Sequence, residues 1–437
     1  MINTLNFNSW SESRKLLERA LRSIPIASQT FSKSHLQLPK DNAPLFISHG
    51  KGSRIWDVDG NQYVDLLMGL GAVTLGYCDG DVNAAISAQL EKGTVFSLPS
   101  TLEMQLAEKI IELVPSAEMV RFGKAGSDAT SGAVRLARHH TGREQVIACG
   151  YHGWHDWYIG STTRNSGVPS EVCGLTHPAP FNDLDYVETC FTKQPDKIAA
   201  VILEPVSVTE PKPGYLSGLK KLCEKHGALL IFDEVVTGFR YSLGGAQEYY
   251  GVTPHLTALG KGMANGMPVS AVVGPKYLMQ GMEEIFFSGT FGGECLSIAA
   301  CIATLIKMEN QNVPQNFWNV GGRLQRKLYG KITRFKLDDV LSIAGTECNG
   351  FILCKDTASI PAATIETFLI GELLSHGIFS LGSLVMNNSF GDREIDITVS
   401  AFSIFCEKLS AGIESGTLAD VMEYPPIEPI FKVRQSR

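Results

Sequence analysis

The chain has 437 residues, enough for two or three domains around a large core, and its 44% hydrophobic and 19% charged residues are those of a soluble globular protein. A net charge of −7 without any Lys/Arg block speaks against a nucleic-acid or anionic-membrane surface. The ten cysteines, scattered from Cys78 to Cys406 with no CxxC pair, suggest neither a zinc knuckle nor a disulfide framework and point to reduced thiols in a cytoplasmic protein.

The first stretch, "MINTLNFNSWSESRKLLERALRSIP", is polar and lacks the apolar run of a signal peptide. Trp10, Leu16, Leu17, Ala20 and Leu21 lie at helical spacing, and Pro25 ends that helix. "RIWDVDGNQYVDL" reads as a hairpin turning at Asp59-Gly60. From about residue 100 amphipathic helices ("TLEMQLAEKIIELV", "AVRLARHH") alternate with short apolar runs at Val146–Cys149, Ala199–Leu203, Leu229–Phe232, Leu256–Leu259 and Val269–Val273. That alternation predicts an α/β fold with a mainly parallel sheet covered on both faces. Leu296–Ile306, broken by Ser297 and Thr304, is too short for a membrane span and reads as a buried helix. After Met308 a smaller α+β unit follows, and the tail "YPPIEPIFKVRQSR" reads as extended.

In open α/β sheets ligands bind beyond the carboxyl ends of the strands, so the residues following each apolar run matter most. "GKAGSDAT" follows Val120–Phe122 and sets Gly126, Ser127 and Asp128 at a helix start. Such a start favours a phosphate, or it is a plain cap supplied by Ser127 or Asp128. Neither this stretch nor "GLGAVTLG" fits the dinucleotide or P-loop spacing. "GYHGWHD" follows Val146–Cys149. Tyr151 offers a flat ring, while His152, His155 and Asp156 lack a fourth ligand of metal spacing, so no metal is expected. Glu204 follows one run, and Asp233 and Glu234 follow another, where carboxylates need partners. Lys261, between Gly260 and Gly262, is an exposed loop lysine or a desolvated amine able to form a Schiff base. Phosphate cradle, flat ring, buried acid and amine at the strand ends of one sheet together suit pyridoxal phosphate.

"RFGKAGSDATSGAVRLARHHTGR", "YHGWHD", "ILEP", "LIFDEVVTGFR", "GVTPHLTALGKGMANGMP" and "FSGTFGGECLSIAA", in that order, resemble the class III aminotransferases of pyridoxal-phosphate fold type I. The branch that contains glutamate-1-semialdehyde aminomutase is the most similar. The resemblance runs from "GKGSRIWDVDGNQYVDL" to "REIDITVSAF". It implies an aspartate-aminotransferase-like architecture: residues 1–75 and 309–437 building a small α+β domain around a large cofactor-binding domain at 76–308. It further implies that Lys261 holds pyridoxal 5'-phosphate as an internal aldimine and shuttles protons, and that Asp233 keeps the pyridine nitrogen protonated. Val235 and Tyr151 would flank the ring, and Gly126 and Ser127 would bind the phosphate. Glu204 would lie near the cofactor, and Thr290 would reach the phosphate of a neighbouring subunit in a homodimer with shared active sites.

Semialdehyde mutases share a Ser-Pro-Val-Arg stretch whose arginine binds substrate; this chain has Ser28-Gln29-Thr30-Phe31-Ser32-Lys33. It also has Ser207-Val208-Thr209 where they carry a small-Gly-Asn run, and a shortened lid, "WYIGSTTRNSGVP". These departures imply an aminotransferase moving an amino group from an amino acid, glutamate foremost, to a carbonyl acceptor of sugar or secondary-metabolite type. Phe31, Lys33 and Arg164 are the substrate candidates, with Lys33 and Arg164 equally readable as surface cations. Intramolecular transfer by a mutase is the alternative, and a catalytically inactive binding subunit is the alternative of another class.

Overall fold

The computed structural model describes residues 9–416, 422 and 425–428. The start of the polar N-terminal stretch and all but residues 425–428 of the expected extended tail lie outside the described residues. Among the described residues no helix is long and apolar enough to cross a membrane. The described residues form two units: one of residues 9–70, Leu75–Asp79 and those described from Asn316 onward, the other of Gly71–Thr74 and Gly80–Gln315.

The first unit ties the two ends of the chain into one sheet. Arg54–Asp57 and Gln62–Asp65 form the expected hairpin, antiparallel with Ile55 opposite Tyr63, and Asp57 accepts the Asn61 N–H at 2.7 Å across the turn. Ile47–Lys51 extends the hairpin on one side. On the other, Ile378–Phe379 pairs in parallel with Gln62–Asp65. A second, antiparallel sheet holds Leu341–Thr346, Asn349–Cys354 and Ser383–Val385. The first helix, Ser11–Ala20, stops short of Pro25, which instead opens a single 3-10 turn, Pro25–Ala27.

The second unit is built on seven strands: β1 (Met119–Gly123), β2 (Gln145–Cys149), β3 (Thr176–Pro178), β4 (Ile198–Leu203), β5 (Leu229–Glu234), β6 (Leu256–Leu259) and β7 (Ser270–Gly274). Their order is β1-β7-β6-β5-β4-β2-β3. β7 is antiparallel to both its neighbours, and the other four pairings are parallel. The expected mainly parallel sheet is therefore present, with one reversed strand that a run of apolar residues could not distinguish. β4 and β5 are buried at every position, which explains their unbroken apolar texture. Alternate residues serve opposite cores. Ala148, Ala200, Ile202, Ile231 and Ala258 pack with Ala133, Val134 and Ala137 of helix α1 (Gly126–Thr141). Ile147, Val201, Leu203, Leu230 and Phe232 pack on the other face with Val187, Phe191, Leu216 and Leu219. Each larger aliphatic side chain so buried contributes about 1.5–3 kcal/mol over exposure. The apolar run at Leu296–Ile306 is a helix, Cys295–Asn310, with Ile298, Cys301, Leu305 and Met308 buried.

Candidate active site

The register of the parallel strands aligns four residues in a row at their carboxyl ends. Cys149 lies opposite Leu203, Leu203 opposite Phe232, and Asp233 opposite Ala258. One residue further along β2 and β4, Gly150 and Glu204 therefore stand level with Asp233. Neighbouring strands are about 4.8 Å apart, so Gly150, Glu204, Asp233 and Ala258 succeed one another across the sheet. Alternation puts all four on the face that carries Ala148, Ile202 and Ile231, the face covered by α1. Gly150 has φ +104°, and a Cβ there would come within 2.9 Å of Glu204 Oε2, so the glycine makes room for the carboxylate.

Asp233 and Glu234 are adjacent in sequence and opposite in use. Glu234, wholly buried, accepts the N–H groups of Ala246 (2.6 Å) and Gln247 (2.9 Å), the Gln247 side-chain amide (3.0 Å) and the Thr237 hydroxyl (2.9 Å). Its bonding capacity is spent on the short helix that starts at Ala246. Asp233, 5% exposed, accepts the Val235 N–H at 3.1 Å through Oδ1, and its Oδ2 lies 2.8 Å from His152 Nδ1. The other ring nitrogen, Nε2, lies 3.1 Å from the Cys149 carbonyl oxygen. A carbonyl only accepts, so Nε2 carries a hydrogen. The contact between Nδ1 and Oδ2 then holds a second one, shared between imidazole and carboxylate. Asp233 is thus a buried acid with a dedicated proton-bearing partner.

Lys261 follows β6 in a 3-10 turn, Lys261–Ala264, with φ +41°, a left-handed conformation that a lysine rarely adopts. Such strain costs on the order of 1–3 kcal/mol and persists where the surroundings enforce it. Here Thr74 does so, donating its hydroxyl to the Gly262 carbonyl at 2.8 Å and its N–H to the Asn265 side chain at 3.0 Å. Burial pushes the Lys261 ammonium below its ordinary proton affinity; Glu204 and Asp233 pull it partly back, and Arg240 lowers it further. Lys261 is thus half-buried with its ammonium partly desolvated, which is not the setting of an exposed loop lysine.

At the start of α1, Asp128 reaches back to accept the N–H groups of Lys124 (2.9 Å) and Ala125 (2.8 Å). Ala125 occupies the cap position and makes no side-chain cap, so neither Ser127 nor Asp128 is the plain cap that the sequence allowed. Ser127 turns its hydroxyl to the Trp154 N–H at 3.3 Å. The N–H groups of Gly126 and Ser127 make no hydrogen bond among the described residues, the condition of an anion-binding helix start. A Cβ on Gly126 would lie 2.7 Å from Val235 Cγ1, and one on Gly260 would lie 3.4 Å from the same atom. Gly126, Val235 and the glycine before Lys261 are thereby in one place. Ser270 adds, beside Gly260, a buried hydroxyl without a hydrogen-bond partner among the described residues.

Tyr151 is 45% exposed and meets the Tyr158 ring edge-on at 5.6 Å. Burial, with Asp233 and Glu204 nearby, pushes its phenol up. The three side chains weighed as metal ligands separate: His152 faces Asp233, His155 lies 2.7 Å from the Ser131 hydroxyl, and Asp156 starts a short helix. Arg164 is an exposed residue of the second unit, its N–H on the Thr162 hydroxyl at 3.1 Å. Thr290 is exposed, close in sequence to the exposed Phe286 and Phe291. Phe31 and Lys33 belong to the first unit, in one 3-10 turn, where Lys33 lines a cavity of about 480 Å³ with Ser28, Asp65 and Tyr77. His152 as the partner of Asp233, Arg240 and Ser270 are the site residues that reading the sequence missed. The first could have been noticed from its place one residue after Tyr151 at a strand end.

Residues 36–380 match the family described as Aminotransferase class-III. The chain is 46% identical over 387 residues to the glutamate-1-semialdehyde 2,1-aminomutase of Syntrophobacter fumaroxidans, covering 82% of this chain and 89% of that protein. It is 37% identical over 311 residues to the 3-aminobutyryl-CoA aminotransferase of Cloacimonas acidaminovorans, covering 69% and 74%. Among solved structures it superimposes on the FumI protein of Sphingopyxis sp. MTA144, in its PLP internal aldimine form, with a TM-score of 0.86 at 28% identity, covering 95% of this chain and 98% of that one.

Proposed function

The chain belongs to the class III aminotransferases, enzymes of fold type I whose cofactor is pyridoxal 5'-phosphate, and from that premise we propose that it moves an amino group from an amino acid donor, glutamate foremost, to a separate carbonyl acceptor. The observation that carries the proposal is the desolvated Lys261 amine, held in strained backbone at the end of β6 beside the row of Glu204 and Asp233. The residues present fit the cofactor. The unpartnered Gly126 and Ser127 N–H groups would take its phosphate, Asp233 its pyridine nitrogen, Val235 and Tyr151 its ring faces, and Lys261 its aldehyde. When bound, the cofactor supplies an electron-withdrawing ring that accepts the electron pair left by a departing proton. Lys261, its proton affinity lowered by burial, is suited to take a proton from substrate and return it. Asp233, oriented by its contact with His152, would keep the ring nitrogen protonated, and Ser270 offers a buried hydroxyl beside Gly260.

The absence of an arginine at Ser28–Lys33 and the Ser207-Val208-Thr209 stretch favour an acceptor outside the molecule over an intramolecular transfer. The second reading, a glutamate-1-semialdehyde 2,1-aminomutase, draws on the 46% identity to a protein of that name. The two separate on glutamate alone. A transferase releases 2-oxoglutarate in an amount equal to enzyme and shifts the absorbance to that of the aminated cofactor. A mutase gives no half-reaction with glutamate and converts the semialdehyde unaided.

A homodimer is part of the proposal, supported by exposed apolar side chains on the second unit, among them Phe96, Leu98, Phe286 and Phe291, the last two close in sequence to the exposed Thr290. If Thr290 reaches the phosphate in a second copy, Thr290→Ala removes one hydrogen bond to a charged group, worth about 1.5–3 kcal/mol. Cofactor affinity, measured by spectroscopic titration, should fall about tenfold or more while the dimer mass in sedimentation is unchanged. An unaltered affinity would remove Thr290 from the site. The ten free cysteines suit the cytoplasmic setting that we include in this reading.

A further inference from the structure

Glu204 has no part in the chemistry described so far, yet the fold provides for it. It stands level with Asp233 on the neighbouring strand, Gly150 is without a side chain at φ +104° beside it, and the Tyr151 backbone N–H bonds its carboxylate. Its other side lines an open cavity of about 170 Å³ with Cys149, Gly150, Phe181, Ser207, Val208 and Thr209. Glu204 is half-buried and borders this cavity, with Lys261 and Asp233 near enough to act on its charge.

Resting on the reading of Lys261 as the reacting amine, we propose that Glu204 is a positioning residue for Lys261 whose carboxyl group exchanges its proton with solvent through the Cys149–Thr209 cavity, keeping the summed charge of the two residues constant. When Lys261 takes up a proton, Glu204 releases its own to solvent in the cavity. When Lys261 gives its proton away, Glu204 takes one back. The pair alternates between ammonium with carboxylate and amine with carboxylic acid, so no net charge is created inside the protein, where an uncompensated one is most costly. The groups facing Glu204 allow both states. Asp233 on β5 favours the acid; His152, after β2, and Lys261, after β6, favour the carboxylate; Tyr151, Tyr158 and Cys149 sense its charge. Burial and Asp233 together push its carboxyl up to about 7, so neither state is excluded near neutrality.

The test uses the full chain freed of cofactor, which separates this proposal from the function itself. The rate at which an acid anhydride acylates Lys261, read by peptide mass spectrometry against pH, reports the free amine. Glu204→Gln keeps the shape and removes the charge. Without that carboxylate the amine is free at lower pH, and the rate below the midpoint should rise about tenfold, as for loss of an opposite charge at short range. Glu204→Asp should restore part of the wild-type profile. A carboxylic-acid infrared band that titrates near pH 7 in the wild type should vanish in Glu204→Gln. Coincident acylation profiles for wild type and Glu204→Gln, or an unchanged band, would overturn the proposal. The variant has no reason to misfold. A carboxyl with raised proton affinity contributes stability below the ordinary carboxylate range, and that contribution is lost as pH rises through about 7. Above that pH Glu204→Gln gives up a buried charge together with its attraction to Lys261 and His152, while the amide oxygen still accepts the Tyr151 N–H, and the unfolding midpoint of the variant checks that it is folded. Loss of the Lys261 chromophore, by contrast, tests the function and leaves this result untouched.

Discussion

Lys261→Ala should yield a colourless protein that borohydride fails to label and whose turnover falls by roughly 10,000-fold, the upper end of what a positioned acid–base group supplies. Lys261 is the amine at these strand ends that burial partly desolvates and that two carboxylates act on, and the expected loss follows from removing it. The fold should survive. Alanine at φ +41° inherits the same strain, and the Thr74 bonds that pin the turn run to Gly262 and Asn265, which the substitution leaves in place. Lys261→Arg is the sharper comparison: it keeps a cation between Glu204 and Asp233 but presents a group that stays protonated. Both variants should lose the absorbance band, and both should unfold near the wild-type midpoint. A band that persists, with borohydride label on another lysine, would refute the assignment.

Asp233→Ala is expected to combine a loss of activity with a loss of stability. Its carboxylate is the partner of a buried His152 whose second nitrogen is already committed to the Cys149 carbonyl. Removing one partner of such a pair costs about 3–5 kcal/mol, which the midpoint of chemical unfolding of the cofactor-free chain should register. Asp233→Asn separates the two effects. The amide keeps a polar neighbour for His152 and the bond from Val235 N–H, so most of the stability should return. It carries no charge to hold a ring nitrogen protonated, so turnover should remain about 1,000-fold or more below wild type. An Asn variant as active as wild type would show that the charge of Asp233 is not used.

The contrast between Asp233 and Glu234 shows how far the site could be read in advance. "LLIFDE" announces a buried strand with two acids at its end, and strand periodicity alone places them on opposite faces. Which face carries the site depends on what covers each: α1 on the Asp233 side, and the helix beginning at Ala246 for Glu234. The reversed direction of β7 was equally hidden, because a short apolar run looks the same in either sense. The joining of residues 378–379 to the N-terminal hairpin is a pairing between segments too distant in the chain for any local pattern to link.

The sequence by itself determined six of the seven strands of the second unit, Thr176–Pro178 being the one it did not mark, and which chemically able residues stand at the carboxyl ends of the parallel ones. Periodicity, turn residues and apolar runs are properties of neighbours along the chain. Only the tertiary structure decided that Gly150, Glu204 and Asp233 form one row, that His152 is the partner of Asp233, and that Lys261 is desolvated in left-handed backbone. Register between strands, and the depth at which an amine is buried, are set by packing of elements far apart in sequence, and those contacts exist only once the chain has folded.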